Sequence, residues 1–218
     1  MEKFDSSGKP LIYLITDGAT TADNFIEKKS QILKLIKTAV QTKISLIQIR
    51  EKKLSARLVF ELVSEAAKLT QNTATKLLVN DRADIALAAN ADGVHLTSRS
   101  FSTDIIRQYF PKDFVIGVSA HTIEAAENAK IQGADFATFS PIFFSPAKGE
   151  PQGIEKLREV CALVKPFPVV ALGGIDETNF TQVLKAGASG FAAIRFLNNG
   201  KNLREPASYL LEYKNQND

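Results

Sequence analysis

The sequence predicts an α/β fold of one domain, a parallel (β/α)8 barrel. Three observations lead there. Short runs rich in Ile, Val, Leu and Phe alternate with longer segments of helical spacing along the whole chain, the signature of successive βαβ units. Eight such units share 218 residues. That is roughly 27 residues per unit, near the lower size of this barrel. The rival, a doubly wound open sheet, often begins with a glycine-rich turn, whereas the first apolar run here ends in Thr16-Asp17-Gly18-Ala19 without a GxGxxG pattern.

Strands are expected over residues 11–16, 45–50, 76–80, 93–96, 114–119, 136–140, 168–172 and 190–195. Helices are expected between and after them, over 30–41, 55–70, 82–90, 103–110, 122–132, 153–164, 178–186 and 204–214. In the second helix Leu58, Leu62, Val63, Ala66 and Leu69 share one face at spacings of three and four. Ser55, Thr122 and Thr178 stand where N-caps are useful. A weak echo, Asn90-Ala91-Asp92, Gly133-Ala134-Asp135 and Gly187-Ala188-Ser189, precedes three strands. Ordinary helix-stop chemistry accounts for it, since Gly and Asn tolerate the left-handed residue that ends a helix. No Pro/Gly/Ser-rich linker divides the chain. The expected organisation is a flexible N-terminal tail over residues 1–10 and a barrel over 11–214.

Composition excludes several classes. Apolar residues make 44% and charged residues 23%, ordinary for a soluble globular protein. No apolar run approaches the length of a membrane span. The first ten residues lack the apolar core of a secretory signal, so a cytoplasmic protein is expected. A formal charge of +3, with no Trp and no mixed basic and aromatic run, gives no support for nucleic-acid binding. The lone cysteine, Cys161, excludes a disulfide framework and a Cys-based zinc cluster; its helical face is apolar. The sequence leaves monomer and homo-oligomer equally open.

In a parallel barrel the active site lies at the C-terminal ends of the strands, and polar residues collect there. Alternation puts Gln48 and Arg50 on one face of their strand, with Lys52 just beyond. Arg and Lys together suit phosphate or diphosphate; the alternative is a surface ion pair with Glu51. Asp81, beside Asn80, suits Mg²⁺ bridging phosphate oxygens, or else either residue caps the next helix. Leu172-Gly173-Gly174-Ile175 lets backbone N–H groups approach an anion, or is a tight turn. The stretch after Ala193-Ile194-Arg195 can present further amides from a small helix. The long loop 140–153, with Ser145 and Lys148 near its tip, reads as a lid or as a solvated insertion. His121, two residues after Ser119, is a candidate acid/base or a structural residue. His95 reads as a packed, hydrogen-bonded histidine. Two histidines without companion carboxylates are a weak metal signal.

Six segments occur in an order that resembles a known family. They are Gln48-Ile-Arg-Glu-Lys52, Asn80-Asp-Arg-Ala-Asp-Ile-Ala-Leu-Ala, Ala91-Asp-Gly-Val-His-Leu96, Gly117-Val-Ser-Ala-His-Thr122, Ser140-Pro-Ile-Phe and Leu172-Gly-Gly-Ile175. Together they resemble thiamine phosphate synthase and its sister, the thiazole tautomerase. The resemblance implies a (β/α)8 barrel and a condensation of 4-amino-2-methyl-5-hydroxymethylpyrimidine diphosphate with thiazole phosphate. Diphosphate leaves first, and the thiazole nitrogen captures the pyrimidine cation. It further implies Gln48 at the pyrimidine, with Arg50, Lys52, Asn80 and Lys148 on the diphosphate and Ser119 nearby. Asp81 would hold Mg²⁺, while Gly174 and the Ile194-Arg195 backbone would receive the thiazole phosphate. The chain departs from the synthase pattern at Ser100, where a second metal-binding Asp is expected. In the lid, Ser145 keeps one hydroxyl and Ala147 loses another. Ser98, Ser100, Phe101 and Ser102 resemble the tautomerase, in which His121 would move the proton. A non-catalytic phosphate-binding barrel is the third reading.

Overall fold

The computed structural model describes residues 9–146 and 149–203. Eight parallel strands close in sequence order. They are β1 (Leu11–Ile15), β2 (Leu46–Ile49), β3 (Lys76–Asn80), β4 (Gly93–Leu96), β5 (Val115–Ala120), β6 (Phe136–Phe139), β7 (Val169–Leu172) and β8 (Gly190–Ala193). Between them run α1 (Phe25–Gln41), α2 (Ala56–Thr70), α3 (Ala83–Ala88), α4 (Thr103–Tyr109), α5 (Ile123–Ile131), α6 (Gly153–Val164) and α7 (Phe180–Lys185). β1 pairs with both β2 and β8, so no sheet edge remains. The expected helix 204–214, and most of the 1–10 tail, lie outside the described residues. No helix among the described residues is long and apolar enough to cross a membrane.

Period-two alternation divides each strand between two cores. Tyr13, Ile15, Leu46, Leu78, Val115, Phe136, Val170 and Ala192 fill the barrel interior. Ile12, Leu14, Ile47, Ile49, Leu77, Val79 and their neighbours pack outward against the helices. Gln48, Asn80, His95, Ser119 and Ile194 share the inward phase and sit toward the C-terminal ends.

The helix ends follow an alternation of their own. After α1, α3, α5 and α7, a residue of positive φ (Lys43, Asn90, Gly133, Gly187) stops the helix. The next residue then bonds back five positions: Ile44 to Ala39, Ala91 to Ala86, Ala134 to Ala129 and Ala188 to Val183, a Schellman closure. The sequence echo is thus ordinary stop chemistry, repeated. Two residues that follow these stops also clamp strands. Asp92 accepts from the Leu77 amide, and Asp135 from the Ile116 amide and from Arg107.

Three local expectations are corrected. α1 starts at Phe25, not residue 30, because buried Phe25 extends the face of Ile32 and Ile36. Ser55 and Thr122 do cap, accepting from Leu58 and Ala125, but Thr178 does not. Its hydroxyl donates to Asp176, and the N-cap is Asn179. The segment after Ile194 is a turn closed by Asn198 N–H to Ile194 O, not a small helix.

Candidate active site at the barrel mouth

β2 ends in the basic segment. Gln48 is 1% exposed and its Nε2 donates to the Tyr13 hydroxyl at 2.6 Å. Arg50, two residues on, is half-buried at the rim, and its amide donates to Thr16 Oγ1. Glu51, the alternative ion-pair partner, is not at the surface. The Glu51 carboxylate is buried beneath the β1–α1 loop and accepts from the Gly18 and Thr20 amides. Lys52 stands exposed at the rim, close enough for its charge to act on Asp81.

Asp81 follows β3 in the left-handed region, φ 60°, one that Asp tolerates better than most residues. It caps no helix, and neither does Asn80; α3 has no side-chain cap. Asp81 Oδ1 accepts from the Thr97 amide and hydroxyl and from the Ser100 hydroxyl, and Oδ2 from Asn80 Nδ2. Burial pushes this carboxyl up. The bonds from Ser100 and Thr97, the Lys52 charge and Asn80 outweigh it and hold Asp81 below the usual carboxylate range. Ser100 therefore touches the acid it was expected to stand beside. Among the described residues, no cluster of three or more His, Cys, Asp or Glu side chains could hold a metal ion. Mg²⁺ keeps several waters and needs only one or two carboxylates when substrate phosphates complete its shell. Asp81 fits that role, because Oδ2 accepts a single bond.

Opposite this rim, the β7 and β8 ends form a cleft of about 470 Å³ lined by Phe144, Ser145, Gly173, Gly174, Ile194 and Arg195, among others. The glycines are required there. Gly173 has φ 104° and Gly174 φ 65°. A Cβ on Gly174 would stand 2.5 Å from the Phe144 carbonyl oxygen, and one on Gly173 2.7 Å from Pro141 Cα. The β6–α6 loop folds over this pair, with Phe143 N–H donating to Gly173 O.

His121 is exposed after β5, and its Nδ1 lies 2.7 Å from the Ser140 carbonyl oxygen. A carbonyl only accepts, so Nδ1 donates; in the neutral tautomer that does so, Nε2 is the nitrogen able to accept a proton. His95 is buried, as expected, between Tyr13 and Ser119. Gln48, Arg50, Lys52, Asn80 and Asp81 thus gather on one side of the mouth. Ser145, Gly174, Ile194 and Arg195 gather on the other, with Ser119 on the floor. Lys148 lies outside the described residues. Tyr13, Thr97 and Thr138 escaped the sequence reading; Tyr13 and Thr138 share the inward phase and Thr97 directly follows β4, which is the only signal they offer.

A profile of the thiamine monophosphate synthase family matches residues 12–197. The chain belongs to that family. A relative from Aquifex aeolicus, provisionally named thiamine-phosphate synthase 2, is 41% identical over 187 residues, covering 85% of this chain and 96% of that one. The thiamine-phosphate synthase of Clostridium acetobutylicum is 33% identical over 208 residues, covering 94% and 95%. Among solved structures, the thiamine phosphate pyrophosphorylase from Pyrococcus furiosus superposes with a TM-score of 0.77 at 29% identity, covering 94% of this chain and 98% of that one. The thiamine monophosphate synthase family and the closed eight-strand barrel agree with the expectations drawn from the strand-end motifs.

Proposed function

We propose that this chain is a thiamine-phosphate synthase, a transferase that joins 4-amino-2-methyl-5-hydroxymethylpyrimidine diphosphate to thiazole phosphate. One observation carries the reading. The mouth has two ends whose residue types suit anions, the Arg50–Lys52–Asn80–Asp81 side and the Gly173–Gly174–Arg195 cleft, with a neutral floor between them. Two anionic substrates need both ends; a one-substrate proton shift needs one.

In this reading Arg50 and Lys52 hold the diphosphate and take up charge as its C–O bond breaks and the electron pair leaves with it. Lys148, by the family resemblance, would add a further cation. Gln48 and Ser119 orient the pyrimidine, and Ser145, Gly174 and the Ile194-Arg195 backbone hold the thiazole phosphate. The thiazole nitrogen lone pair then forms the new C–N bond. Asp81 would be the protein carboxylate that holds Mg²⁺, which when bound would supply further charge neutralisation for the leaving diphosphate. The partners are thus small molecules, too highly charged to cross a membrane unaided. That supports placing the enzyme in the cytoplasm.

The test is product formation by purified protein with both substrates and Mg²⁺, with and without chelator. Chelator-sensitive thiamine phosphate is expected, with a loss of roughly 10²-fold or more in Asp81→Ala. No product from folded protein that still binds thiazole phosphate would defeat the reading. The base at His121 Nε2 favours one alternative, a thiazole tautomerase; there His121→Ala would cripple turnover, whereas a synthase is only dented by it. Binding of both ligands without turnover on any substrate would mark a non-catalytic barrel.

A further inference from the structure

Two buried ionisable side chains, Tyr13 and His95, take no part in the chemistry above, yet they bridge residues that do. Both point into the barrel beneath the mouth, from β1 and β4. Packing fixes their rings. Tyr13 meets Phe136 edge-on at 5.5 Å between centroids, and His95 lies 5.7 Å from Tyr13 and 5.9 Å from Phe136. Gly117 makes room for this cluster, because a Cβ there would stand 2.4 Å from Phe136 Cζ and 2.7 Å from His95 Nδ1.

Donor counting gives the chain of contacts a direction. Gln48 Nε2 donates to the Tyr13 hydroxyl oxygen at 2.6 Å. The phenol has one proton, and its other partner is His95 Nδ1 at 3.2 Å. Nδ1 therefore accepts. A neutral imidazole that accepts at Nδ1 carries its proton on Nε2, which faces Ser119 Oγ at 3.0 Å, with Thr138 Oγ1 at 3.5 Å. Burial keeps the ring neutral by pulling its pKa down to about 4, against a smaller upward push from the Asp81 charge. Burial likewise pushes the Tyr13 phenol far above its ordinary value. Ser119, having accepted, has its own proton to give. Gln48 Oε1 accepts from none of the described residues.

We propose that Tyr13 and His95 are positioning residues that fix hydrogen-bond polarity at the floor of the mouth, running Gln48 to Tyr13 to His95 to Ser119. The floor then presents an acceptor at Gln48 Oε1 and a donor at Ser119 Oγ. It selects a heteroaromatic ring with an amino group for the first and a bare ring nitrogen for the second. A ring with a carbonyl in place of the amino group meets acceptor against acceptor at Gln48. The opposite polarity, with Ser119 donating to Nε2 and Nδ1–H donating to Tyr13, would present the inverse pattern and favour the carbonyl ring. The ligand part rests on the pyrimidine reading of the site; the polarity does not.

The two parts are tested separately. ¹⁵N NMR of the imidazoles in ligand-free protein, assigned with His121→Gln, reads the His95 tautomer. The expected form is neutral with the proton on Nε2; a proton on Nδ1 overturns the proposal whatever the enzyme catalyses. Selection is read by calorimetry with the aminopyrimidine diphosphate and its 4-oxo counterpart, so turnover is not needed. Tyr13→Phe keeps the ring packing and removes the hydroxyl. Its preference for the amino over the oxo ligand should fall roughly three- to tenfold, the worth of about one hydrogen bond, with thiazole phosphate affinity unchanged and the melting temperature lowered by the stranded Gln48 and His95 groups. An unchanged preference, or wild-type protein that binds neither pyrimidine, overturns the selection role. Absent product with intact amino selectivity counts against the synthase reading alone.

Discussion

Acidification should weaken this barrel through His95. In the unfolded chain its imidazole titrates near 6.5. In the fold, burial lowers that to about 4, although the Asp81 charge pushes partly the other way. The unfolded state therefore binds the proton more readily. The contribution of His95 is intact above about pH 6.5 and is lost as pH falls toward 4, at ~1.4 kcal/mol per pH unit. Over the whole window the loss is about 3 kcal/mol, a large share of the roughly 5–15 kcal/mol a domain has. The geometry gives the same sign. A protonated ring would put an N–H on Nδ1 against the Tyr13 proton, and both Tyr13 and Gln48 would have to turn. Urea unfolding of wild type and His95→Gln at about pH 7 and about pH 4.5 checks it, because carboxylates common to both proteins cancel in the difference. The stability of wild type relative to the variant should shrink by about 2–3 kcal/mol between those conditions. A difference that stays flat would refute the reasoning.

Gly174→Ala should lower the melting temperature and weaken thiazole phosphate binding by tenfold or so, since the new Cβ would collide with the Phe144 carbonyl oxygen at a left-handed backbone; unchanged binding would exclude this loop as the anion cradle. Asp135→Ala should cost about 2–4 kcal/mol in urea unfolding, by stranding Arg107 and the Ile116 amide. Turnover should be untouched, because these groups lie at the end of the barrel opposite the mouth; a loss of kcat without a loss of stability would contradict that placement. Ser100→Asp puts a second carboxylate against Asp81 and should tighten Mg²⁺ binding to the free protein by roughly tenfold, read by calorimetry. Unchanged affinity would mean that the Ser100 side chain does not face the ion.

The fold was legible because two periods survive in the sequence, alternation in the strands and three-to-four spacing in the helices. It failed at the start of α1, where Glu27, Lys28 and Lys29 interrupt the apolar pattern. Lys29 is not idle there, since it bridges to Glu61 and Glu65 of α2, a contact that spacing within α1 does not reveal. The rim residues Arg50, Lys52, Asn80 and Asp81 were legible because each follows or ends a strand, and strand ends define the mouth. The polarity chain was not. Alternation says that Tyr13 and His95 point inward, but not that they meet although 82 positions apart in the chain. Ser100 shows the same limit. Its position beside Asp81 was expected from a resemblance, whereas its hydroxyl bond to Oδ1 depends on how the 97–100 turn closes.

The site divides its polar groups by depth, and electrostatics gives the reason. Arg50, Lys52 and Asp81 stand at the partly or fully exposed rim, where water still offsets the cost of charge. The floor of Tyr13, Gln48, His95, Ser119 and Thr138 is neutral, since an unpaired buried charge costs several kcal/mol. Direction of hydrogen bonding is then the polar means by which the floor can specify a ligand, and one substitution should reverse it. Gln48→Glu, read at a pH high enough to ionise the buried carboxyl, replaces the amide donor with a group that only accepts. Tyr13 must then donate to that carboxylate, His95 must give its Nδ1 proton to the phenol oxygen, and Ser119 must donate to Nε2. The His95 tautomer should switch from Nε2–H to Nδ1–H in the ¹⁵N spectrum, and affinity for the aminopyrimidine diphosphate should fall. An Nε2–H tautomer in a folded Gln48→Glu protein whose carboxyl is ionised would show that something other than Gln48 sets the polarity.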